Sequence, residues 1–252
     1  CGGARIIWAK PDGRTPRCRG DDETLGRFMT LDNPFWSALG SIHRDVALRA
    51  GEVARYPAAY APFLGVASAD VPVDAALDAL VAPGESVYLI GTAPAAHAGW
   101  TLQAFRPLAQ MVCDAPLVVA EGPGIVPLGD AQRGEVLALT ALVYPHYFRE
   151  RTMELGRYFG IYEDGRLAAM IGERMGSADS REMSAICTHP DFTGRGYARQ
   201  LTAWLTNETL ARGVQPFLHV SHENPRAKGL YEQLGYRVRR DIGFWSLKRA
   251  DG

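Results

Sequence analysis

The stretch that most limits how this chain can fold runs from Glu182 to Gly213 and reads EMSAICTHPDFTGRGYARQLTAWLTNETLARG. Met183, Ile186 and Cys187 are apolar, no charge interrupts them, and Pro190 has no N–H to give a ladder, so a strand is expected that stops near His189. Gly194 and Gly196 then bracket Arg195 in a turn. From Tyr197 onward Leu201, Trp204, Leu205 and Ala211 recur on one helical stripe, with Gly213 placed to end the helix. Strand, glycine turn and helix in this order bring unpaired backbone N–H groups and a positive dipole end to one spot, and glycines let an anion come close. Arg195 adds a full charge there. By itself the pattern also serves as a plain tight connection.

The rest of the composition narrows the partners. A chain of 252 residues with 47% hydrophobic content can bury one large core or two ordinary ones. Lys and Arg number 27 against 28 acidic residues, so neither nucleic acid nor a membrane surface is expected as a partner, and any cationic site must be local. No apolar run approaches the ~20 residues that span a bilayer. Cys1, Cys18, Cys113 and Cys187 stand singly without metal-type spacing, which fits reduced thiols, no metal and a cytoplasmic protein. A first residue of Cys1 is read as a trimmed start rather than a processed lipoprotein.

Residues 1 to about 30 carry no motif and read as a loose arm with one edge strand at Ile6 to Trp8. A helix is expected from Asn33 to Gly51, with Asn33 as its cap and Pro34 at its first position. Ser86 to Ile90 reads as a strand, Thr101 to Val112 as a helix interrupted near Pro107, and Pro116 to Ala120 as a strand. Gly and Pro punctuate together at 121–125, which places a boundary near Gly122: an α/β unit of unknown role over 1–121 and a second unit over 122–252. The second unit opens with a strand at Ile125 to Leu128, a helix from Asp130 to Leu142 and another through Tyr147 to Leu155. A hairpin joins Tyr158–Tyr162 to Leu167–Arg174 through Glu163, Asp164 and Gly165. After the central strand and helix come a strand at Phe217 to His222, a helix from Asn224 to Leu234 and a last strand from Tyr236 to Leu247.

The wording ICTHPDFTGRGYA resembles the acyl-CoA signature of the GCN5-related N-acetyltransferases, in which Gln or Arg is followed after two residues by Gly, one residue, then Gly or Ala. Gly196 and Ala198 match the last two positions, and Thr193 stands where the family has Gln or Arg. A second piece, NPRAKGLYEQLGY over 224–236, is similar to the closing pattern of the FR47-like branch, which includes glycine N-acyltransferase-like enzymes. The resemblance covers about half the chain. It implies an α+β member of the α/β class, with a mixed, mostly antiparallel sheet flanked by helices, and it leaves the first half open as a degenerate copy of the same fold.

Acetyl transfer from a thioester, the chemistry that the resemblance implies, needs a neutral amine, a stabilised oxyanion and a proton for the departing thiolate. Glu182 stands where several family members place a carboxylate base, and burial would raise its pKa toward the working range; pairing with Arg174 or Arg181 on a solvated face is the competing reading. Spacing makes Tyr231 a core tyrosine of a helix capped by Asn224, and the family places a tyrosine there beside the cofactor sulfur as the acid. The family also points to the backbone of Ile186, Cys187 and Thr188 for the pantetheine and oxyanion. For the diphosphate it points to Thr193, Gly194, Arg195, Gly196, Tyr197 and Ala198. Asn224, Arg226 and Lys228 are further contacts for acetyl-CoA as co-substrate. Cys187, a strand cysteine among apolar neighbours, is set aside as a nucleophile, and His189, His219 and His222 read as structural or surface residues. His146, Tyr147 and Arg149 lie in the loop where relatives shape the acceptor pocket.

These expectations describe an acetyl-CoA dependent N-acetyltransferase acting on a small-molecule amine or amino acid, as a monomer or homodimer. Two alternatives stand beside it. One is an acyl-CoA-binding sensor without turnover, and the other is a glycine N-acyltransferase-like enzyme that uses longer acyl chains.

Overall fold

The computed structural model describes residues 30–95, 98–143 and 145–250. The strand expected at Ile6 to Trp8, and with it Cys1 and Cys18, lies outside the described residues. The first half holds helix α1 (Pro34–Gly40), strands β1 (Leu48–Ala50), β2 (Val53–Arg55) and β3 (Leu64–Val66), helix α2 (Asp74–Leu80), and strands β4 (Ser86–Ile90), β5 (Trp100–Ala104) and β6 (Leu108–Val112). The second half continues with β7 (Ile125–Leu128), α3 (Arg133–Val143), β8 (Tyr158–Glu163), β9 (Arg166–Gly176), β10 (Ser180–Thr188) and α4 (Tyr197–Ala211). It closes with β11 (Gln215–Ser221), α5 (Pro225–Leu234), β12 (Arg237–Ile242) and β13 (Phe244–Arg249). Among the described residues no helix is long and apolar enough to cross a membrane.

Seven strands form the main sheet in the order β12-β6-β11-β10-β9-β8-β7. Its neighbours are antiparallel except for β10 and β11, which run parallel. The sheet is therefore mixed and mostly antiparallel, as expected. Helices α4 and α5 cover one core, in which Leu201, Leu205 and Tyr231 meet Met111, Leu218 and Ile171. Helix α3 closes another through Val136 and Leu139, against Leu128 and Met170. Each large apolar side chain removed from water in these cores contributes about 1.5–3 kcal/mol.

Several elements differ from the sequence expectation for identifiable reasons. The first helix ends at Gly40, and its expected continuation becomes turns and β1, because Leu48–Ala50 find ladder partners in Arg55–Val53. Asn33 precedes that helix but makes no cap, its Nδ2 donating instead to the Val66 carbonyl at 2.7 Å. The stretch 101–112 is two strands, not a helix: β5 pairs with β13, while β6 pairs with both β11 and β12. Long-range ladders override local helical spacing there. Residues 116–120 form no strand, and Asn207 instead takes up the backbone of Leu117, accepting from its N–H at 2.7 Å and donating to its carbonyl at 2.8 Å. The helix expected through Tyr147 to Leu155 contracts to a 3-10 turn at Thr152–Leu155. The last strand breaks at Gly243, where a Cβ would meet the Trp245 ring at 2.0 Å, and its two pieces join different sheets.

The line near Gly122 does not separate self-contained sheets. Strand β6 from before it lies inside the main sheet between β12 and β11, and β13 from after it lies between β4 and β5. One core likewise draws Phe35, Tyr56 and Phe63 from the first half together with Met175, Phe217 and Ile242 from the second. Buried His43 ties the halves again through the Tyr56 hydroxyl and the Leu155 carbonyl, each at 2.8 Å. A fragment of residues 122–252 would leave β11 and β12 without the strand between them and β13 without either neighbour. Such a fragment is expected to show no cooperative thermal transition by circular dichroism, in contrast to the whole chain.

Candidate active site

The site begins where the sheet comes apart. Parallel β10 and β11 are in register only at Ser180–Gln215, Arg181–Pro216 and Glu182–Phe217. Beyond Glu182, β10 stays with β9 while β11 stays with β6. The ladder between β9 and β10 shifts between Ser184 and Cys187, and Ala185 adopts φ of +50°. An alanine in the left-handed region costs about 1 kcal/mol or more, which the surrounding pairing must offset. The bulge bends β10 away from β11, so a fork opens toward Thr188, with Glu182 at its apex.

Glu182 is 1% exposed. Arg174 of β9 reaches it with two bonds, Nε to Oε2 at 2.8 Å and Nη2 to Oε1 at 2.9 Å, and His219 Nδ1 of β11 lies 2.9 Å from Oε1. Burial pushes the Glu182 carboxyl upward, but the Arg174 charge and the hydrogen bonds from His219 and Arg174 outweigh it and bring the pKa down to about 2. The expectation of a raised pKa is thus corrected: Glu182 pairs with Arg174, as the competing reading had it, but inside the protein and not on a solvated face. His219 has a defined tautomer. Arg239 donates to Gln110 Oε1 at 2.8 Å, which turns Gln110 Nε2 toward the Leu31 carbonyl and His219 Nε2, at 2.8 and 3.0 Å. Nε2 therefore accepts, and Nδ1 carries the proton to Glu182. No local pattern signals this chain of contacts, because its members are separated by up to 129 positions.

At the open end of the fork, Gly194 and Gly196 have φ of +81° and +82° and precede α4 directly. A Cβ at either would touch nothing within 4 Å, so it is backbone conformation that these positions require. The first turn of α4 itself contains no acidic residue, so its own side chains put no carboxylate against its amides. Arg195 pairs with Glu163, to which the Tyr197 hydroxyl also bonds, and lies over the Phe192 ring. Thr193 Oγ1 donates to the Pro190 carbonyl at 3.1 Å. Gly194 to Ala198 thus form a glycine turn that leads straight into α4.

A cavity of about 540 Å³ fills the fork. Ile186 and Cys187 of β10 form one wall, and Leu218, His219 and Val220 of β11 form the other. Tyr231, Ala227 and Asn224 close it from α5, and Glu182 and Arg174 lie at its base. Burial pushes the Cys187 thiol up to about 12, in keeping with an inert core cysteine. Asn224 caps α5 through Oδ1, which accepts from the Ala227 N–H at 3.0 Å. Lys228 pairs with Glu232 one turn on, while Arg226 is exposed. Of the three acceptor candidates only Tyr147 lines the cavity. His146 is exposed, and Arg149 Nη1 donates to the carbonyls of its own loop at His146 and Phe148. The wall facing them, Phe63, Ile90, Phe105, Arg106 and Leu108, comes from the first half.

The family model described as FR47-like protein matches residues 158–245, from β8 into β13. Acetyltransferase YE1169 of Yersinia enterocolitica is 36% identical over 77 residues, 29% of this chain and 55% of that protein, so the chain spans about half the length of the curated relatives it matches. A crystal structure from Novosphingobium aromaticivorans, of a protein assigned as an acetyltransferase of the GNAT family, is 34% identical with a TM-score of 0.78, over 87% of this chain and 98% of that one. The chain belongs to the GNAT family. Its similarity to the Novosphingobium protein extends well before Gly122, so most of the first half belongs to what the two share. A GCN5-related N-acetyltransferase from Kribbella flavida, 18% identical with a TM-score of 0.57, repeats the fold over 86% of this chain and 94% of its own.

In this GNAT chain the apex contacts generate a stability prediction with a sign. Glu182 has its pKa lowered from 4.5 to about 2 by folding, so its contribution is present above the unfolded value and is lost as pH falls through the folded one. Replacing Glu182 by Gln leaves Arg174 buried beside a neutral group and should cost about 3–5 kcal/mol at pH 7. Between about pH 5 and 2 the variant should then lose less stability than the wild type. Urea melts across that range would refute the assignment if the two proteins lost stability in parallel.

Proposed function

We propose that the protein transfers an acetyl group from acetyl-CoA to the amine of a small molecule or amino acid, by direct attack in a ternary complex. The observation that carries this reading is that β10, parted from β11 along a cavity lined by Tyr231, runs on through a short turn into the start of α4, whose first turn holds no acidic residue. Acetyl-CoA supplies the reactive thioester. Everything else is asked of the chain.

The amides from Gly194 to Ala198 would take the diphosphate, with the α4 dipole behind them. The backbone of Ile186, Cys187 and Thr188, which lacks a β11 partner beyond Glu182, suits an added strand such as pantetheine, and an N–H in that run would face the developing oxyanion. Asn224, which lines the cavity, and the exposed Arg226 of α5 are assigned further contacts to the cofactor. Tyr231, 8% exposed and lining the cavity, is assigned the proton for the departing thiolate. Glu182 is assigned a positioning role, because a carboxyl held near pKa 2 is a poor acceptor at neutral pH. It fixes the His219 ring and holds the fork at a set width. Water at the mouth carries away the proton of the acceptor ammonium.

The sensor reading draws support from Arg195, whose charge faces Glu163, and from Thr193, whose hydroxyl is taken up by the Pro190 carbonyl; both leave diphosphate binding to the main chain. Tight CoA binding with no thiol release across a broad amine panel would favour it.

Tyr231→Phe should lower kcat about tenfold or more while the KM for acetyl-CoA stays within about twofold. An unchanged kcat would remove Tyr231 from the chemistry. At Gly196, aspartate tolerates the left-handed conformation but sets a carboxylate among the amides. Gly196→Asp should weaken CoA binding by calorimetry about tenfold or more with little change in thermal midpoint; undiminished affinity would place the diphosphate elsewhere.

A further inference from the structure

Resting on that reading of the site, we propose that the acceptor is an apolar α-amino acid, bound as its zwitterion between Arg106 and Glu223 with its side chain against the aromatic wall of the cavity. Phe63, Phe105, Tyr147 and Phe244 line the cavity together. Their rings form one surface: Phe105 and Phe244 lie 5.1 Å apart, Phe63 and Tyr147 5.9 Å, and Tyr147 and Phe244 6.3 Å. Tyr88 backs them at 5.0 Å from Tyr147 and 5.8 Å from Phe244. Such a wall binds aliphatic and aromatic groups by burial and by edge or face contacts.

The charges at the cavity specify the rest of the ligand. Among the described residues that line it, those with a formal charge are Arg106, Arg174, Glu182 and Glu223. Arg174 and Glu182 face each other at the apex. Arg106 and Glu223 are exposed, and neither has an ion-pair partner among the described residues. Topology brings these two to the same edge. Strands β6 and β11 are antiparallel, with Leu108 opposite Ser221 as the last registered pair, and Arg106 and Glu223 each lie two residues beyond that pair. The mouth thus offers one cation and one anion on neighbouring strands, beside an apolar surface. A carboxylate and an ammonium on one carbon, with an apolar substituent, complement all three features. A simple amine would leave Arg106 unanswered, and a simple acid would leave Glu223 so. Glu223 next to the ammonium also sets the nucleophile at the mouth, where water can take its proton.

Calorimetric titration of the whole chain with L-phenylalanine, 2-phenylethylamine, 3-phenylpropionate and glycine, with and without CoA, tests this directly. L-Phenylalanine should bind on the order of tenfold tighter than each of the other three, as expected for one added charge-assisted contact or one buried ring. Arg106→Gln should erase its advantage over 2-phenylethylamine, and Glu223→Gln its advantage over 3-phenylpropionate. Equal affinity for L-phenylalanine and 2-phenylethylamine, or for L-phenylalanine and glycine, overturns the proposal. Thiol release separates this inference from the one beneath it. Tight zwitterion binding without release from acetyl-CoA would sink acetyl transfer and leave the recognition standing. Release with 2-phenylethylamine as fast as with L-phenylalanine would do the reverse.

Discussion

The ion cluster at the apex of the fork is the contact on which the rest of the site depends. Glu182 sits in the last registered pair between β10 and β11, and it is gripped from both sides, by Arg174 on β9 and by His219 on β11. A carboxylate this deeply buried is stable as an anion only because those partners compensate its lost hydration. The same bonds fix how far apart the two strands stand at the point where they separate. Bending beyond that point is local to the β10 bulge at Ser184–Cys187 and the positive φ of Ala185. Clamp and bulge together turn an otherwise continuous sheet into a cleft with a rigid base, which is how a sheet can hold a ligand between its own strands.

From the apex the network runs on through His219 to Gln110 of β6 and Arg239 of β12, and Arg239 continues to Asp32 at 2.7 Å. It crosses the whole short side of the sheet and ends in the first half. This continuity explains why the first half is not a detachable neighbour. It contributes β6 to the main sheet, takes β13 into its own, and places Phe63 and Phe105 on the cavity wall. The portion of the chain that carries the FR47-like match supplies β10, β11 and α5 to the cavity, and the first half adds Phe63, Ile90, Phe105, Arg106 and Leu108. The shape of the cavity therefore depends on residues far from the recognisable motif.

Much of the second half was legible because its signals are local. Gly196 before Tyr197, Asn224 and Pro225 at the head of α5, Gly235 with φ of +115° at its end, and the turn at Asp164 and Gly165 each act within a few residues. The stretch 101–112 was not legible, since its helical spacing competes with ladders whose partners lie more than 100 residues away. Sequence separation also hid part of the site chemistry, since His219 lies 37 positions from Glu182. Glu182 could be singled out, but the sign of its pKa shift depends on Arg174 and His219 reaching it together, and His219 read from its neighbours alone is an ordinary strand histidine.

By itself the sequence determined the strand, glycine turn and helix from Glu182 to Gly213, the cap and stop of the helix bearing Tyr231, and membership in a recognisable fold. These follow from backbone preferences and spacing, which act between near neighbours. Only the tertiary structure decided that Glu182 is a clamped anion, that Arg195 faces Glu163, and that aromatic rings from the first half wall the cavity. Those outcomes turn on desolvation and charge pairing, which are set by what packs nearby in space and carry no trace in the order of the residues.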